Sequence, residues 1–224
     1  MKTIDLCEEV SIFLSDKTDG NMRNLALANW ANDETIKIRQ GFLGRAGIAP
    51  EDTALVFVDY SRSDFTQYRL IESPGDYRLN NAEATTEASD GLAVRTRGIG
   101  LFLPLADCIG AVIFDRRQKL LMLVHAGRHN LEQDGLGAAV RFLTGQGTSP
   151  SDLSVWLSPS AGKKSYPVYS LGGKGLEEIA IEQLVCAGVT DIASAGIDTT
   201  ADENYYSHSE GDRDKRFAVL AYMR

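Results

Sequence analysis

A chain of 224 residues can bury one good core, and apolar and charged fractions of 43% and 24% are ordinary for a globular protein. With 23 basic residues against 31 acidic ones the net charge is −8. The basic residues are scattered in short pairs such as Arg116–Arg117 and Lys163–Lys164, so the basic stripe of a nucleic-acid binder is missing.

In chain order, the first segment, MKTIDLCEEVSIFLSD, carries charges every few residues and no long apolar core, so no secretory signal is expected. Asn32 and Asp33 can cap a helix that runs to about Arg45 and closes at Gly47 before a Pro50 turn. Ala54–Val58 reads as a buried strand. The polar stretch from Ser61 to Asp90, with Pro74–Gly75 and Asn80–Asn81, reads as loop with one edge strand. Four apolar runs follow: GLAVRT, LFLPLADC, GAVIFD and KLLMLVHAG, the last two joined by a hairpin turn at Asp115–Gln118. Leu136, Val140 and Leu143 recur at helical spacing and predict one amphipathic helix over Leu131–Leu143. DLSVWLSPS predicts a strand, and Leu176, Ile179, Ala180 and Leu184 a second helix ended by Gly188. DIASAGIDTT and RFAVLAYM complete the sheet material. Hairpins are too frequent for a simple parallel wound sheet, so the class expected is α+β in a single domain over 1–224.

The longest apolar stretch, Leu101–Phe114, is interrupted by Pro104 and Asp107 and is too short to span a bilayer. Cys7, Cys108 and Cys186 are odd in number and far apart, which suits free thiols in a reducing compartment. A cytoplasmic protein without membrane partners is the expectation.

Two of those runs end close to a chemically versatile side chain, Cys108 in one and His125 in the other. A thiolate and an imidazole can act as nucleophile and base, or as two ligands of one metal ion. Buried free cysteine, however, also packs as a small hydrophobe. Both residues are followed closely by a glycine, Gly110 or Gly127, as where a strand gives way to a loop. The two side chains are therefore expected to face one cavity, each at a strand end of the same sheet region. Further along, Lys163, Lys164 and Tyr166 follow a strand, and His208 lies in a polar loop near the last strand; neither stretch is specific by itself. Three histidines in the whole chain are too few for a multicopper cluster.

The order of these segments resembles the family known as multicopper polyphenol oxidases or laccase-domain proteins, now regarded as zinc-containing purine nucleoside phosphorylases. Its Ala-Asp-Cys and His-Ala-Gly motifs correspond to Ala106-Asp107-Cys108 and His125-Ala126-Gly127. Ser207-His208 and Arg216 match its ending, and Arg39 stands where an Asn-Arg pair is usual; the likeness covers about Gly20 to Tyr222. It implies two mixed β-sheets packed together and flanked by helices. It also implies a site of Cys108, His125 and Asp107 for a small-molecule substrate such as a nucleoside with phosphate; Tyr166 and His208 are expected to contact it, and Arg39, Arg62 and Arg128 are candidate anion contacts.

The departures are as informative. The first of the family's three zinc ligands, a histidine in a Gln-Val-His segment, falls in DYSRSDF, which has none, so Ser61 or Arg62 is expected in its place. Zinc on Cys108 and His125 alone is expected to be weak, with His129 as a candidate third ligand, and no copper is expected. Arg62 would attract an anion instead, and an arginine beside Cys108 would lower its pKa. The family's Trp after His-Ala-Gly is Arg128 here, and of its Cys-Cys-Tyr-Glu segment only Tyr166 survives. Three functions are carried forward: a divergent phosphorylase relative acting on a nucleoside-like ligand, a metal-free Cys–His hydrolase or deamidase, and a binding protein without catalysis.

Overall fold

The computed structural model describes residues 1–26, 32–80 and 86–224. Among these residues, eleven strands form two mixed sheets. The first joins, in spatial order, β1 (Lys2–Cys7), β2 (Val10–Leu14), β11 (Phe217–Met223), β6 (Gly100–Leu105) and β3 (Thr53–Leu55). The second joins β10 (Asp191–Ser194), β9 (Leu153–Leu157), β7 (Ile109–Asp115), β8 (Leu120–Ala126), β5 (Gly91–Val94) and β4 (Tyr68–Ile71). Three pairs, β3–β6, β4–β5 and β9–β10, are parallel, and the others are antiparallel.

Strand alternation decides what each face covers. In β6, Leu101, Leu103 and Leu105 face the second sheet, and in β7 and β8, Val112, Phe114, Leu121 and Leu123 meet them to form the central core. The opposite faces carry the helices. Phe102 and Leu220 pack with Phe42 and Leu43 of α1 (Asp33–Ala46). Ile113, Met122 and Val124 pack on α3 (Gly135–Gly145) and α4 (Leu176–Cys186). The layers therefore run helix, sheet, sheet, helices. Among the described residues no helix is long and apolar enough to cross a membrane.

The capped helix near the start forms as its signals require: Asn32 accepts from the amides of Glu34 and Thr35, and Gly47 closes the helix at φ 72°. The hairpin forms because Asp115 Oδ1 accepts from the Arg117 and Gln118 amides. The edge strand expected in the 61–90 stretch is β4, while Asn81 lies outside the described residues. The buried run 54–58 is paired as strand only to Leu55.

Two expectations are corrected. The helix predicted over Leu131–Leu143 is two pieces, α2 (Arg128–Glu132) and α3, broken where Asp134 turns left-handed at φ 54°. The buried Asn130 side chain fills the space beside Gly135, at 2.0 Å from where a Cβ would stand, so the break is built around that amide. Cys108 does not end a strand of His125's sheet: β6 belongs to the other sheet, and Ala106-Asp107-Cys108 is the turn that carries the chain across to β7. The hairpin β1–β2 went unpredicted because the exposed outer strand mixes charges with its apolar residues.

Candidate functional site

The turn between the sheets is held by its aspartate. Asp107 sits at φ 72°, a left-handed position that Asp tolerates better than most residues. Its Oδ1 accepts from Thr199 Oγ1 at 2.8 Å, and its Oδ2 accepts from the Ser209 amide and hydroxyl, both at 2.7 Å. Its carbonyl accepts from the Ala161 amide. The carboxylate expected to be catalytic is thus committed to tying loops 198–209 and 158–166 to the turn; it positions the site.

Register then brings the thiol and the imidazole together. Gly110 pairs with His125 across β7 and β8, and Ile109 with Ala126, so Cys108 reaches the edge of the sheet beside Gly127. His125 shares the alternation of Leu121 and Leu123, and Cys108 that of Gly110 and Val112; both side chains point between the sheets. A Cβ built on Gly127 would stand 2.9 Å from Cys108 Sγ and 3.3 Å from His125 Nε2. Sulfur and ring nitrogen are therefore no farther apart than those two lengths end to end. A glycine is needed there because a side chain would enter the space between them. The His125 amide donates to the Asp90 carbonyl at 2.8 Å, fixing the strand end.

Tyr60 forms the third wall. Val56, Val58 and Tyr60 line one side of the cavity, every second residue of an extended segment. The Tyr60 hydroxyl lies 3.4 Å from His125 Nε2, and the two rings meet edge to face with centroids 6.2 Å apart. The loop is anchored to α2: Asn130 Nδ2 donates to the Phe65 carbonyl, and Gln133 accepts from the Phe65 amide and donates to the Ser63 carbonyl. Tyr60, then, stands where Ser61 or Arg62 was expected.

Around this centre are two compartments. The inner one, about 110 Å³, adds Arg23, Leu103 and Pro104. The outer one, about 360 Å³, adds Asp107, Arg128, His129, Tyr166, Leu176 and His208; Cys108, His125, Tyr60, Leu25 and Arg216 border both. Arg128, Tyr166 and His208 thus line the outer compartment, with His208 exposed at the rim.

Two arginines are not. Arg39 is fully buried, donating to the carbonyls of Met22 and Leu79 with its guanidinium over the Phe102 ring. Desolvation there lowers its pKa to about 9, and it ties α1 to two loops. Arg62 donates to Gln67 Oε1 and pairs with the buried Asp90, so it is a counter-charge beside the strand that holds His125. Neither lines the cavity.

The electrostatics overturn the expected thiolate. Burial pushes the Cys108 thiol up to about 12, and Asp107 adds to this; Arg216, the Arg128 amide and the Arg128 charge pull the other way and lose. Burial also lowers His125 to about 4, helped by the positive charges of Arg216 and Arg23. Without a metal the pair is a neutral thiol beside a neutral imidazole at pH 7. Desolvation of its hydroxyl beside His125 raises the Tyr60 phenol above its ordinary range, although the residue as a whole is exposed.

Zinc wants three protein donors around one point. Cys108 and His125 supply two. His129 turns away, its ring stacked on Phe65 at 4.9 Å and its Nδ1 3.5 Å from Glu132. Among the described residues no three His, Cys, Asp or Glu side chains gather as a metal-binding group. The donor set does not fit a resident zinc ion.

Tyr60 and Arg23 were missed as site residues. The signal for Tyr60 was present, since the alternation of Val56 and Val58 continues to it. Arg23 had no such signal: its place depends on a loop crossing the sheet end.

Comparison with known proteins agrees with this architecture. The family described as multi-copper polyphenol oxidoreductase laccase matches residues 71–174. A purine nucleoside phosphorylase of Xylella fastidiosa is 28% identical over 168 residues, covering 63% of this chain and 64% of that protein. One from Mycobacterium bovis is 25% identical over 174 residues, covering 69% and 67%. The chain thus spans just under two thirds of the length of the Xylella relative. Among solved structures, YlmD from Geobacillus stearothermophilus superposes with a TM-score of 0.80 at 20% identity, covering 99% of this chain and 94% of that one. The Bacillus licheniformis hypothetical protein YfiH gives 0.78 at 19%, covering 96% and 93%. The resemblance to the laccase-domain family is borne out, and so is the fold of two mixed sheets flanked by helices.

Proposed function

We propose that this chain, a divergent relative of the laccase-domain family, binds a small nucleoside-like ligand in the outer compartment and turns it over slowly or not at all. The observation that carries this reading is the lining of the 360 Å³ space. Tyr60, Tyr166, Leu25 and Leu176 offer aromatic and apolar surface for a flat base, and Arg128 and Arg216 offer positive charge for an anionic group. The volume lies within the range of small-molecule sites. The relatives named purine nucleoside phosphorylases support a purine nucleoside, with phosphate, as the first ligand to try.

Phosphorolysis needs phosphate held by cations, a held base and a donor that steadies the leaving purine. Here the imidazole is neutral and deeply desolvated, the thiol is protonated, and the aspartate is engaged elsewhere. Each missing preorganised contact typically costs about a hundredfold to a thousandfold in rate. Incubation with adenosine or inosine and phosphate, followed by chromatography for free base, is expected to show background release; turnover near 1 per second or faster would refute the reading. A Cys–His hydrolase or deamidase is less well supported, because its nucleophile would have to be a thiolate.

A further inference from the structure

We propose that Tyr60 is a built-in plug of the metal position: its hydroxyl takes the third-donor place beside Cys108 and His125, so that a transition-metal ion is kept out of the cavity. Three observations support it. The hydroxyl lies 3.4 Å from Nε2 of His125, the ring nitrogen on the side of Gly127 and Cys108. An ion about 2.0 Å from Nε2 along that line would run into the oxygen. The ring also borders both compartments, and an edge-to-face contact with His125 and a tilted contact with Phe65, centroids 6.1 Å apart, hold it there.

The loop beneath the tyrosine is not free to swing it aside. The Phe65 amide and carbonyl and the Ser63 carbonyl are all bonded to α2 through Gln133 and Asn130. Arg62 adds the pair with Asp90, whose carbonyl fixes His125. Plug and imidazole are thus held by one network. Of the other donors at the outer compartment, His129 and Asp107 are turned to other partners, and His208 stands exposed at the rim. A residue with a ligating nitrogen or carboxylate at position 60 would complete a three-donor set with Cys108 and His125, whereas the neutral phenol of tyrosine blocks it.

The experiment compares wild type, Tyr60→Phe, Tyr60→His and Tyr60→Asp, each checked for folding by circular dichroism. Cobalt(II) is titrated, watching for visible ligand-field bands and a near-ultraviolet thiolate charge-transfer band, with zinc competition for affinity. The wild type is expected to bind weakly and to keep substoichiometric zinc after gel filtration, and Tyr60→Phe to bind no more weakly. Tyr60→His or Tyr60→Asp, whichever folds, is expected to bind at least tenfold to a hundredfold tighter, since even an outer partner of a metal ligand is worth that much. Full tight zinc in the wild type that is lost in Tyr60→Phe would overturn the proposal, because tyrosine would then be a ligand. So would a folded His or Asp variant that gains no affinity. Metal affinity is read apart from nucleoside binding, so failure of one leaves the other standing.

Discussion

The floor and the walls of the cavity are built differently. His125 stands on β8 and Cys108 in the turn just before β7, where the ladder register from Ile109–Ala126 onward fixes their direction to within one residue. Tyr60, Arg128, Tyr166 and His208 stand on loops or at the start of a five-residue helix, and their places depend on contacts from elsewhere in the chain. A change in a wall loop spares the ladder, whereas a change in the floor does not. Function should therefore vary through the walls and stability through the floor.

The joint between the two regions should be the most costly place to cut. Asp107→Ala removes the acceptor of three short hydrogen bonds and leaves Thr199 Oγ1 and the Ser209 amide and hydroxyl without it. A loss of about 3 kcal/mol or more is expected in urea denaturation; Asp107→Asn should lose less, because it keeps an acceptor and tolerates the positive φ. A loss below about 1 kcal/mol would deny the turn its structural role.

Acid should damage the floor next. His125 binds a proton near pH 4 in the folded chain but near 6.5 when unfolded, so between those values the unfolded chain holds the extra proton. Stability is complete above pH 6.5 and falls as pH drops toward 4, by about 3 kcal/mol at most. His125→Gln should flatten that part of the curve, and an unchanged slope would contradict the buried neutral imidazole.

Gly127→Ala places a methyl 2.7 Å from His125 Cε1 and 2.9 Å from Cys108 Sγ. About 1–3 kcal/mol of overpacking is expected, with ligand binding lost in calorimetric titration.

A wall variant sharpens the contrast. Arg128→Met, at an exposed residue, should leave stability within about 0.5 kcal/mol and weaken binding of an anionic nucleoside ligand about tenfold, the equivalent of about 1.4 kcal/mol. A large stability loss without a binding change would reverse the assignment.

The same division explains what was legible in the sequence. Strand alternation and turn residues foretold the apolar runs, the hairpin at Asp115 and the cap at Asn32, all consequences of local chemistry, whereas Cys108 meets His125 through the turn between the sheets and the β7–β8 register. Tyr60 was one or two residues away from the position read, because the segment after Leu55 leaves the ladder and no partner strand fixes its register. Arg39 and Arg62 were misread as anion contacts because a sequence does not show which charges are consumed by buried carbonyls or by an aspartate 28 residues away. The thiolate was misread for a related reason: the neighbouring arginines are real, but burial outweighs them.

One measurement bears most directly on the account: titrating adenosine or inosine, with phosphate present, into the wild-type protein in a calorimeter and analysing the same sample for free base. The account predicts saturable heat of binding with base release at background. Release at about 1 per second or faster, or no binding heat at all, would contradict it.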